Sequence, residues 1–197
     1  MRSNLAEARV SAAGQSESGI SKAVQPEGWH IGLALVVFGA FCLYWLSSFV
    51  LESRGAMHDF GADAFYYAEL AKENVIGRLG SDYLLDRITR FHPLTTGLAV
   101  IWMKLLSPLT VWISPQHLLK ALFSLIGAVG VWAVMRAFAA VVPVRYALLL
   151  GIIYASSLSV WYFSSIQESK IVSATLTALY IATYLRLRTA WTMRGAV

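Results

Sequence analysis

The run IGLALVVFGAFCLYWLSSFVL, residues 31–51, carries no charged residue. A helix of about 20 such residues, rising 1.5 Å per residue, crosses the roughly 30 Å hydrocarbon layer of a bilayer. A buried helix of a small soluble domain has no use for so long an uncharged stretch, so the run predicts a membrane span. It exceeds the apolar core of about 7–15 residues of a cleaved signal peptide, and the polar stretch before it is too long for one. The span is therefore expected to be retained, with Trp29 and His30 marking its near interface.

The rest of the chain agrees with that reading. Of 197 residues, 57% are hydrophobic and 14% charged, a balance outside that of soluble domains and expected of an integral membrane protein. The formal net charge of +5 does not point to nucleic acid. The basic residues are scattered at the ends of apolar runs, as in membrane topology, where Lys and Arg collect on the cytoplasmic side. The single cysteine, Cys42, lies within the first run, which excludes an intrachain disulfide and a cysteine-built metal site. Residues 1–28, rich in Ala, Ser, Gly and Glu without apolar periodicity, read as a disordered cytoplasmic tail.

Three further apolar runs follow, at about 118–138, 144–163 and 171–187. Residues 93–114 are ambiguous, because Lys104 stands at their centre and Pro108 interrupts the helix. If that segment crosses, there are five spans, and Arg136, Arg145, Arg186, Arg188 and Arg194 fall on the side away from the N-terminus, against the positive-inside tendency. If it does not, there are four spans and these arginines face the cytoplasm together with both termini. The expected fold is thus all-α and membrane-integral, with about four transmembrane helices, five being possible. It occupies residues 29–190, and residues 191–197 form a second cytoplasmic tail. A long outer loop over 52–117 carries interfacial helices at about 62–76 and 93–106, and Lys104 snorkels to water.

The outer loop holds most of the acids. In GADAFYYAELAKEN, residues 61–74, helical spacing places Ala64, Tyr67, Ala68 and Ala71 on one face and Glu69, Lys72 and Glu73 on the other, the pattern of a helix lying on a membrane. Asp63 opens that helix. It either caps an orphan backbone N–H or, held ionised at the membrane surface, serves as a general base. His92 before Pro93 makes a turn into a helix, and with Arg87 and Arg90 it can hold an anionic group, since the arginine fork matches phosphate. Glu168 and Lys170, in SSIQESK, form a polar turn on the same predicted side. His58 and Asp59, four residues before Asp63 in the case of Asp59, are weak candidates for a divalent cation. No Gly-rich phosphate loop or nucleophile elbow is present.

Taken in order, ADAFYYAELAKEN, RFHPL, TTGLAVIWMKLL, LIGAVGVWAVMRAF, VPVRYALLLGIIYASSLSVWYF and SSIQESKIVSATLTALYIATYLRLR resemble the conserved core of the GT-C membrane glycosyltransferases. These include the protein O-mannosyltransferases and the aminoarabinose transferase of lipid A. The likeness covers roughly residues 30–190 and corresponds to the N-terminal part of that core. It implies transfer of a sugar from a polyprenyl-phosphate donor to an acceptor on the outer face, in a bacterial inner membrane. Asp63 would be the catalytic base, and Arg87, Arg90, His92, Glu168 and Lys170 would lie near the substrate phosphate. No cofactor is implied beyond a possible divalent cation, and a second membrane subunit is a possible partner completing the module. The alternative expectation is a catalytically inactive membrane partner or lipid-carrier-binding subunit. A third is a four-span scaffold in which Asp63 only caps a helix.

Overall fold

The structure, a computed structural model, describes residues 28–53, 93–166 and 168–194. Among these, all regular structure is helical: α1 (Trp29–Ser53), α2 (Pro93–Leu105), α3 (Pro115–Phe138), α4 (Val144–Ser156), α5 (Leu158–Ser165) and α6 (Ser169–Arg194), with a 3-10 turn over Ser107–Val111. The candidate interfacial helix at 62–76 lies outside the described residues.

Local chemistry sets the helix boundaries. Pro93 opens α2, and Pro108 diverts the chain into the 3-10 turn. Ser114 caps α3 by accepting a hydrogen bond from the His117 N–H at 3.3 Å, with Pro115 in the first helical position, where its missing N–H costs nothing. Between α4 and α5 the chain bends by 58° at Ser157, whose backbone is extended (φ −61, ψ 137). The paired serines explain how the break is tolerated. Ser156 Oγ donates to Ile153 O at 3.3 Å and Ser157 Oγ to Tyr154 O at 2.8 Å, carbonyls whose usual helical N–H partners lie at or past the bend.

Contacts between helices set their directions. Glu52 meets Lys120 and Tyr44 meets Gly127, so α1 and α3 are antiparallel. Gly32 meets Leu148, Tyr44 meets Ala155 and Ser47 meets Trp161, so α4 and α5 together run with α1. Thr175 Oγ1 donates to Ile126 O at 3.0 Å, and Arg136 and Arg186 share one groove, so α6 runs with α3. The four segments therefore alternate in direction. One end of the bundle gathers the end of α1, the start of α3, the end of α5 and the start of α6.

The helix α3 is the axis of this arrangement, packing against each of the other five. In its most apolar stretch 67% of residues are buried, against 22% for α1. Small residues allow the approach: a side chain at Gly130 would press on Thr175 Oγ1 at 2.7 Å, so α3 and α6 are close here because there is none. The outward face of α1 presents Ile31, Leu35, Phe38, Leu46 and Val50 to the surroundings, a surface suited to an apolar neighbour such as lipid. Among the described residues α1 and α3 are long and apolar enough to cross a membrane, and α4 with α5 adds a third segment if the bent pair counts as one. The 26 residues of α6 reach the length but are less apolar. Trp29, the first residue of α1, is packed into the bundle at 2% exposure. Lys104 of α2 is exposed.

Buried polar contacts also tie the segments. Tyr44 Oη donates to Ala155 O at 2.9 Å, in the last turn before the bend. Tyr44→Phe strands that carbonyl, so we expect a loss of about 1–3 kcal/mol, read as a lower thermal midpoint in detergent. A midpoint unchanged from wild type would mean the carbonyl finds another donor.

Candidate functional site

The two ends of the bundle differ chemically. The acids among the described residues, Glu52 and Glu168, both belong to the end where α3 begins, and the arginines, Arg136, Arg145, Arg186, Arg188 and Arg194, all belong to the opposite end. Burial follows the same division. Ser48, Lys120, Ser124, Ser164, Glu168 and Ser169 are buried polar or charged residues in the half where α3 begins, with Thr175 at mid-depth. The other half is filled by Val131, Ala133, Met135 and Ala147. A polar interior at one end of an apolar bundle is costly, and so marks that end as the candidate site.

Its centre is Lys120, which has no exposed surface. Its ammonium pairs with the Glu52 carboxylate and lies 4.4 Å from the centroid of the Phe49 ring. Gln116, one turn earlier on the same face of α3, donates through Nε2 to Glu52 Oε1 at 2.7 Å. His117 closes the group, its ring 4.9 Å from that of Phe49. Helix dipoles explain the placement of the acid. A glutamate in the last turn of α1 opposes that helix's negative end, but here it also lies against the first turn of α3, whose free N–H groups favour an anion. The Lys120 ammonium thus meets a carboxylate and an aromatic face, both of which favour a cation. One turn deeper, Ser124 Oγ is buried with no hydrogen-bond partner among the described residues.

The second element is the start of α6. Glu168 is buried and Lys170 exposed, with Nζ–Oε1 at 3.2 Å. Lys170 also sits 5.0 Å from the Phe163 ring centroid. The buried carboxylate thus holds an exposed ammonium over an aromatic face, at the end of the bundle that Glu52 and Lys120 occupy.

An apolar groove of about 610 Å³ runs between α1 and α3 from His30 and Trp132 past Val37 and Leu125 to Phe41 and Trp102. Trp102 of α2 roofs its upper end and is fixed there by donating Nε1–H to Leu118 O at 2.8 Å. The groove and the charged group around Lys120 thus flank the first turns of α3: Lys120 faces Glu52, and its neighbour Ala121 lines the groove.

Of the residues singled out in the sequence, the structure brings Glu168 and Lys170 together as an ion pair at this end. Asp63, Arg87, Arg90 and His92, with the cation candidates His58 and Asp59, lie outside the described residues. Among those described, no group of three metal-ligating side chains occurs. Sequence reasoning missed Glu52, Gln116 and Lys120, taking 118–138 simply as an apolar run. A usable signal was present: a lysine six residues into a membrane-length helix, with a glutamate just past the preceding one.

No family model matches the chain, and neither a curated protein nor a solved structure matches it.

Proposed function

We propose that this chain is a membrane glycosyltransferase module of the GT-C type, the N-terminal part of such a core. It would transfer a sugar from a polyprenyl-phosphate donor to an acceptor on the outer face of a bacterial inner membrane. The observation that carries the reading is the apolar groove between α1 and α3, whose Trp102 end lies at the same end of the bundle as the exposed ammonium of Lys170. A lipid-linked sugar phosphate asks for such a pairing: an apolar channel for the isoprenoid, and cations at the membrane surface for the phosphate that departs. The charge sorting supports the orientation. The arginine end, with the start of α1 and the end of α6, faces the cytoplasm, the acidic end faces outward, and α6 serves as the fourth span.

In this reading the isoprenoid lies along Val37 and Leu125, and Lys170 meets the phosphate from the start of α6. Arg87, Arg90 and His92 would supply further positive charge, and Asp63 would take the proton from the acceptor hydroxyl as it attacks the sugar carbon. The phosphate leaves with the bonding electrons, and a single base suits one-step inverting displacement.

The test is transfer of radiolabelled sugar from a mixed polyprenyl-phosphate-sugar pool by the full chain in lipid nanodiscs, beside Asp63→Asn and Ala34→Phe. Asparagine still caps a helix but accepts no proton, so we expect transfer to fall about 100-fold or more with carrier binding retained. Ala34 is an exposed groove-lining residue, and phenylalanine there should weaken carrier binding without disturbing the bundle. Transfer unaffected by Asp63→Asn would remove that residue as the base. Carrier binding without transfer by wild type would identify a carrier-binding partner instead.

A further inference from the structure

The arginine end of the bundle carries a second groove, which shares Trp132 alone with the lining of the first. It measures about 530 Å³, lies between the last turns of α3 and the second half of α6, and is lined by Trp132, Arg136, Ala139, Leu179, Thr183 and Arg186 among others. Two guanidinium groups thus enter a groove whose remaining walls are mostly apolar. Arg136 stands in the last turn of α3, where the negative end of the helix dipole favours a cation. Arg145 and Arg188 belong to the same end.

We propose that this groove binds an anionic phospholipid of the leaflet on the arginine side, its headgroup phosphate held by Arg136 and Arg186 and an acyl chain laid along Trp132 and Leu179. Guanidinium forks suit a phosphodiester, each donating two parallel hydrogen bonds, and basic grooves between helices on the cytoplasmic side suit acidic headgroups. Charge complementarity selects an anionic lipid over a zwitterionic one, because two guanidinium groups line the groove. The apolar walls select a lipid over a free phosphate. Trp132 is 39% exposed and Leu187 56%, and an inorganic ion would leave both uncovered, whereas an acyl chain covers them. The inference requires a membrane and is independent of the glycosyltransferase reading.

Native mass spectrometry of the full chain in detergent tests it, with palmitoyl-oleoyl phosphatidylglycerol and the matching phosphatidylcholine added in turn. We expect phosphatidylglycerol to be retained roughly 10- to 30-fold better, the usual worth of two arginines near an acidic lipid. Arg136→Gln with Arg186→Gln should bring that preference close to one, and Arg145→Gln, outside the groove, should leave it intact. Should the double variant fail to fold, Thr183→Trp fills the groove from an exposed position with both arginines kept, and should reduce phosphatidylglycerol retention. Equal retention of the two lipids by wild type would overturn the proposal, as would a preference untouched by both groove variants. Displacement of phosphatidylglycerol by millimolar inorganic phosphate would overturn it in favour of a free-anion site.

Discussion

Replacing Glu52 by Gln should destabilise the protein by about 3–5 kcal/mol, far more than a surface charge change, because it strands the ammonium of Lys120 in a place without water. Lys120 has no exposed surface, whereas the Glu52 side chain is 38% exposed, and that asymmetry makes the prediction directional. Lys120→Met leaves a carboxylate that still reaches water and still accepts from Gln116, so its cost should be nearer 1–2 kcal/mol. The double variant Glu52→Gln with Lys120→Met should recover most of the loss, since an apolar replacement of a buried pair is often close to neutral. Thermal or denaturant unfolding in detergent for all four proteins closes the cycle. Equal losses in the two single variants would show that Lys120 reaches solvent after all, and would weaken the case for a sealed charged site beside the groove.

Gly127→Ala should cost about 1–3 kcal/mol although it adds one methyl group. The added carbon would meet the side chain of Ser164, whose Cβ stands at 2.7 Å, and the Tyr44 ring at 3.1 Å. A serine Cβ is fixed to its backbone, so α5 itself must move, and with it the end of the bundle carrying Glu168 and Lys170. Gly39 and Gly97 provide the control, as nothing lies within 4 Å of a carbon added at either. Alanine there should be neutral or stabilising by up to about 1 kcal/mol, from helix propensity alone. A Gly127→Ala protein as stable as wild type would mean that the crossing of α1, α3 and α5 is looser than described.

Both predictions depend on features that could not be read from the chain by itself, and the reason differs for each. The Glu52–Lys120 pair joins residues 68 positions apart, and nothing in a run of apolar letters says which neighbour a lone lysine faces. Gly127 and Gly39 look alike in sequence, each a glycine in an apolar helix, yet one sits at a three-helix crossing and the other has open space. The bend at Ser157 falls inside what reads as a continuous run over 144–163. Serines also bond carbonyls inside unbroken helix, as Ser164 and Ser165 do, so the break lies in the extended backbone of Ser157 and not in its letter.

What the sequence determined alone was the all-helical class, helices long and apolar enough to cross a membrane and the asymmetry of charge along the chain. Those properties are local: a run of uncharged residues must satisfy its backbone internally wherever it lies, and proline and serine stop or start it on the spot. Tertiary structure alone decided which helix became the axis, which faces met, and where the polar interior collected. In a soluble protein the apolar stripe of a helix announces its buried side. Here α1 is apolar all round, outward at Leu35 and Leu46 as much as inward at Leu33 and Ala40. Lipid and protein are equally apolar neighbours, so the choice between them fell to small residues, close packing and a few buried hydrogen bonds.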